Sequence, residues 1–179
     1  MSSLLAMRTL PTKWPDCRLA LDEKRAPFSP TLWSLAPNND KTKLKQVWFP
    51  GHHACVGGGD HDHGLSNITI AWMVEQVSAN TNLQVDLDYL ANNLEKGENP
   101  CAKPWGCADF VDSYQGIFKI SGQRRRTPGK YSQKAGSTHE YIHRSALARK
   151  NSHDLKYVPP DFSTLNEDEF GEVERKLSW

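Results

Sequence analysis

The sequence predicts an α/β fold, and three observations predict it. Val47, Trp48 and Phe49 form an apolar run with no polar residue between them, the pattern of a strand buried on both faces. Leu87, Leu90, Ala91 and Leu94 recur at i, i+3, i+4 and i+7, with Asp86 in front as a cap and Gly97 behind as a stop. Residues 67–79 carry apolar side chains around most of a helical circumference. Ile68 and Trp72 fall on one side, Ile70, Met73, Val74 and Val77 on the other, which describes a well-buried helix. The expected architecture is one main buried strand with flanking helices and long loops.

Composition limits the function classes. A chain of 179 residues is long enough for one domain with a real core. Its hydrophobic fraction of 37% falls below the usual ~45–50%, as in a piece that packs against more protein or in a loop-rich domain. A net charge of +1 gives no global signal for nucleic acid or an anionic membrane. The first residues lack a cationic start and a long apolar run, and no segment approaches the length of a membrane span. A cytoplasmic location is therefore expected. Cys17, Cys55, Cys101 and Cys107 include no Cys-x-x-Cys pair, so reduced thiols are expected. Cys101 and Cys107 would bridge a loop only in an oxidising compartment.

In chain order, Pro11 and Pro15 make residues 1–19 irregular, and Pro27 and Pro30 make 26–31 a turn or connector. Asn38-Asn39-Asp40 precedes the strand at about 44–49. Pro50 lacks a backbone N–H and ends that strand, and Gly51 permits a sharp turn. His52 and His53 then emerge just past a strand end, where rigid backbone holds an imidazole that substrate can reach. Gly57, Gly58 and Gly59 lead into the polar loop Asp60-His61-Asp62-His63-Gly64, and Ser66 is placed to cap the next helix. Residues 97–109 read as a structured loop and 121–138 as an exposed polar loop, while 109–120 is ambiguous between a loop and a short helix near 109–115. Pro159-Pro160 breaks the chain, and the acidic run from Asn166 opens a last short helix near 167–177.

Several groups have the chemistry for a site. His53-Ala54-Cys55-Val56-Gly57 is half of a nucleophile elbow with cysteine at its centre, but its first glycine is missing, which favours a buried, inert thiol. None of Ser66, Ser113, Ser121 and Ser137 has both flanking glycines of Gly-x-Ser-x-Gly. His52, His53, Asp60, His61, Asp62 and His63 together suit zinc or another transition metal. Adjacent histidines rarely share an ion, however, so a hydrated polar loop is the alternative. The glycine triplet matches no phosphate-binding loop and reads as tight strand-to-helix geometry. Arg124, Arg125 and Arg126 with Lys130 read as a solvated loop, with lipid head groups or nucleic acid as the alternative ligand.

The run Phe49-Pro50-Gly51-His52-His53-Ala54-Cys55-Val56 followed by three glycines resembles the pattern Phe-Pro-Gly-x-His-x-x-Val-Gly-Gly-Gly. That pattern belongs to a large family of α/β-hydrolase domains, common in fungi, that includes bacterial type VI secretion phospholipase effectors. Residues 20–33, 65–75, 127–131 and 140–145 resemble further blocks of the same family, so the resemblance covers roughly residues 17–150. It implies an irregular segment over 1–19, the C-terminal half of an α/β-hydrolase domain over 20–150, and a tail with a short helix over 151–179. It also implies that His53 is the general base, that His52 occupies a variable position, and that His143 is structural. Family members often carry Ser-Asp where this chain has Ala54-Cys55, so an acidic role there is absent. In the family the nucleophilic serine and its acid partner precede these blocks, and this chain starts after them.

The function so implied is a truncated serine-hydrolase-family protein, phospholipase- or esterase-like, inactive alone, whose catalytic candidate is His53 and which needs no cofactor or metal. Its full-length relatives would act on lipid or ester substrates. Two alternatives remain. One is a non-enzymatic module that packs on another protein chain supplying the missing strands. The other is a metal-binding protein built on the histidine loop.

Overall fold

The computed structural model describes residues 16–39, 41–95, 106–131 and 136–178. Four parallel strands form one sheet in the order β1 (Asp16–Ala20), β2 (Lys45–Phe49), β3 (Glu140–His143) and β4 (Asn166–Asp168). Register pairs Ala20 with Phe49, Trp48 with Ile142, and His143 with Asp168. The helices are α1 (His53–Gly57), α2 (Gly64–Asn80), α3 (Leu87–Glu95), α4 (Arg144–Asn151) and α5 (Glu172–Ser178).

β2 is buried on both faces, as its apolar run predicts. Val47 and Phe49 point to one side, where they pack with Val56, Ile68 and Trp72. Trp48 points to the other and packs with Leu19, Leu21, Ile142, Ala146 and Phe162. A parallel sheet needs both faces covered. The α2 helix covers the first face, and α4 with the chain around Phe162 covers the second. Several polar groups inside this core are paired. The Trp48 indole N–H donates to Glu140 at 2.9 Å, and that of Trp72 donates to Asp168 at 2.7 Å. Gln46, also buried, donates to the carbonyls of Trp33 and Thr138 and accepts from the Trp33 N–H.

The structure departs from the sequence reading in several places. The sheet has four strands and not one main strand; β1, β3 and β4 lack an unbroken three-residue apolar run like that of Val47, Trp48 and Phe49, so the sequence pattern does not single them out. Asn166–Asp168 is a strand and not a helix start, and α5 begins at Glu172. Ser66 does not cap α2. The helix begins earlier, at Gly64 with His63 at its N-cap, and the Ser66 hydroxyl donates to the His63 carbonyl. The first turns of α2 are buried all round and its later turns only half-buried. Asp86 does cap α3, accepting from the Tyr89 N–H at 2.8 Å. No helix forms at 109–115, and a 3-10 segment follows at Gly116–Ser121. Cys101 and Gly97 lie outside the described residues. Among the described residues, no helix is long and apolar enough to cross a membrane.

Candidate functional site

Parallel sheets place their sites at the carboxyl ends of the strands. Three strand ends here carry titratable groups: Asp22 and Glu23 beyond β1, His52 and His53 beyond β2, and His143 closing β3. Backbone bonds from Leu21 to Phe49 and from Asp22 to Gly51 extend the β1–β2 pairing past the formal strand ends. The first two of these loops are therefore locked together.

Two adjacent carboxylates tie the β1 end to the β2 loop. Asp22 accepts from the Gly51 N–H at 2.6 Å and from the Tyr157 hydroxyl at 2.7 Å. Glu23, fully buried, accepts from the Arg25 backbone and guanidinium, from the Ser113 hydroxyl at 3.0 Å and from the His53 N–H at 3.1 Å. Their titration diverges. Burial raises the Asp22 carboxyl despite its hydrogen bonds from Tyr157 and Gly51. Burial also works to raise Glu23, but the bonds from Arg25, His53 and Ser113 outweigh it and hold that carboxyl down at about 2.

His53 is exposed, on the first turn of α1. Its ring lies 5.1 Å from that of Phe28. It opens onto a cleft of about 260 Å³ with Arg18, Glu23, Phe28 and Arg126 in its walls. Among the described residues, no side chain hydrogen-bonds to its ring nitrogens. A second cavity of about 580 Å³ shares Glu23 and Arg126 with this cleft and adds Asp22, Lys24, Lys130 and Tyr157. Arg126 corrects the reading of the arginine run as a solvated loop. It is buried and donates to the carbonyls of Phe28 and Arg124, while Arg124 and Arg125 are exposed.

His143 is the opposite case, with no exposed surface. Its Nε2 lies 2.9 Å from Glu174 Oε1, and its Nδ1 lies 2.7 Å from the Ser145 hydroxyl and accepts from the Ser145 N–H. Phe49 stacks on the ring at 4.4 Å, and Phe170 meets it edge-on at 5.2 Å. An imidazole held by a buried carboxylate on one nitrogen and facing a hydroxyl on the other has the contacts of an oriented base. The sequence holds no short-range cue for Glu174, which is 31 residues away.

The glycine triplet shapes the β2 loop further on. Gly58 and Gly59 have φ of +83° and +124°, values that suit glycine, and the chain turns so that Asp60 comes back over Cys55. The Cys55 thiol is buried and donates to Asp60 Oδ2 at 3.1 Å. Burial first, then that bond, push the thiol pKa up, so Cys55 is a poor nucleophile as it stands. His52 Nε2 lies 3.4 Å from the same Asp60 oxygen, and burial lowers its pKa. Of the six histidines and aspartates in the loop, only His52 and Asp60 come together, and Cys55 joins them. Asp62 instead caps the Gly64 N–H.

No curated protein and no solved structure matches the chain. Residues 17–76 match the family model described as T6SS, Phospholipase effector Tle1-like, catalytic domain. That segment runs from β1 into α2 and contains Asp22, Glu23, His52, His53 and Cys55, whereas His143 and Glu174 lie beyond it. The resemblance carried by the Phe49–Gly59 block thus rests on a family match over about a third of the chain.

Proposed function

We propose that this chain carries the histidine-bearing part of an ester hydrolase of the serine type, with lipid esters as the substrate class and His53 as the general base. The observation that supports it best is positional. His53 stands exposed at the carboxyl end of β2, its backbone fixed by Glu23, on a cleft that adjoins a larger cavity. The lipid substrate comes from the phospholipase name of the family matched at residues 17–76. No serine of the 179 residues sits in Gly-x-Ser-x-Gly, so this polypeptide alone has a base without its nucleophile. In a complete triad, loss of one member leaves only roughly 10³–10⁴-fold catalysis over water.

A second reading of the base is favoured by one observation. His143 has the buried carboxylate partner that His53 lacks among the described residues. The test is hydrolysis of short-chain esters and of phospholipid vesicles by the purified 179-residue chain. No turnover above the blank is expected, and robust turnover overturns the inactive reading. Should turnover occur, its loss in H53A but not H143Q assigns the base to His53, and the reverse assigns it to His143.

A non-enzymatic role is the reading from a different class. β1 is an edge of the described sheet, and an edge strand offers unpaired backbone groups to an added strand. Ile117, Ile120 and Val158 are exposed by 77%, 89% and 89%. Together they suit a module that packs on a partner chain. A monomer that binds no hydrophobic dye would remove this reading.

A further inference from the structure

We propose that His52, Cys55 and Asp60 form a site for a single zinc-class divalent ion, separate from the hydrolase reading of His53. The three side chains bring one nitrogen, one sulfur and one oxygen within 4.8 Å of one another. Cys55 Sγ lies 3.1 Å from Asp60 Oδ2, and His52 Nε2 lies 3.4 Å from the same oxygen. Ligands on a tetrahedral zinc, with bonds of about 2.0–2.3 Å, stand about 3.2–3.8 Å apart. Two edges of the triangle are therefore already near that spacing, and the third needs only a modest closure. Mixed imidazole, thiolate and carboxylate donors suit zinc and disfavour calcium or magnesium, which take oxygen.

The fold presets each ligand by a different device. Cys55 is held on α1 against Leu65 and Ala108, and no side chain larger than hydrogen fits at Gly51 beneath it. Asp60 is delivered by the two positive-φ glycines. Its other oxygen accepts from the His61 N–H at 2.9 Å, which orients the carboxylate and leaves Oδ2 for the ion. The His52 ring meets Phe110 edge-on at 6.1 Å, so an apolar wall backs the site. Three protein ligands leave the fourth position to water or to an incoming group.

Binding is a substitution without redox change. The thiol gives up its proton to solvent, and sulfur bonds the ion in its place. The imidazole keeps one proton, now on Nδ1, so the 3.3 Å contact from the Ala54 N–H to Nδ1 is given up. The sequence pointed to the run of histidines and aspartates after the glycines. The folded chain replaces most of that set with Cys55.

The test is calorimetric titration of the tag-free 179-residue chain with zinc chloride, beside H52A, C55S, D60N and H61A. One zinc per chain is expected. Each of the first three substitutions should weaken it by more than the roughly 10–100-fold that loss of an outer-shell partner brings, and H61A should leave it unchanged. Titration with cobalt(II) should add a thiolate-to-cobalt charge-transfer band that C55S lacks. If C55S fails to fold by circular dichroism, D60N and the wild-type cobalt spectrum decide the matter. Absence of stoichiometric zinc, affinity equal in D60N, or a cobalt spectrum without the thiolate band would each overturn the proposal.

Discussion

His143 at the end of β3 and Glu174 on α5 share a hydrogen bond of 2.9 Å, both fully buried. The pair fastens the last helix to the sheet, and Glu174 also accepts from the Gly171 N–H at the start of that helix. Truncation to alanine would leave the His143 N–H without its acceptor. A buried donor left unsatisfied costs about 1–3 kcal/mol. E174A should therefore lower the midpoint of urea unfolding, and E174Q should restore most of it by accepting through its amide oxygen. Equal midpoints for wild type and E174A would show that the contact contributes nothing.

Gly51 has φ of +102°, and a Cβ built there would lie 2.6 Å from Cys55 Cβ. Both the backbone and the space demand glycine. G51A should destabilise by at least the roughly 1–3 kcal/mol of a strained backbone position, and it should displace Cys55 as α1 shifts. Thermal unfolding checks the first effect. Faster modification of the Cys55 thiol by a maleimide checks the second.

Glu23 predicts an acid limb of stability. Its folded pKa, about 2, lies below its ordinary value of 4.5. The ionised form is thus favoured by folding, and the contribution is fully present above about pH 4.5. It is lost as pH falls from there toward about 2. E23Q should flatten the stability profile across that window. Asp22 acts in the opposite direction, because burial raises its pKa and ionisation then opposes folding. D22N should leave the acid limb of Glu23 in place. Unfolding midpoints measured at several pH values for the three proteins separate the two groups.

The sequence exposed what is local and hid what is made at a distance. Val47, Trp48 and Phe49 declare a buried strand because every residue of the run is apolar. The α3 stripe with its Asp86 cap is equally local. β4 was hidden because Asn166, Glu167 and Asp168 look like a helix start. Asp168 is held instead by the Trp72 indole, 96 residues away, and by Lys45. Arg126 looked like one of three solvated arginines, and only the fold brings the Phe28 carbonyl to it. At the site, the strand-end position of His52 and His53 was legible from Pro50-Gly51. The return of Asp60 onto Cys55 depends on backbone angles at Gly58 and Gly59, which composition alone does not specify.

The most direct test of the central claim is the intact mass of the purified 179-residue chain after incubation with a fluorophosphonate, which labels activated serines. On the proposed reading the mass stays unmodified, since no serine of the sequence sits in Gly-x-Ser-x-Gly. A stoichiometric adduct would contradict it, above all one mapped to Ser145, whose hydroxyl lies 2.7 Å from His143.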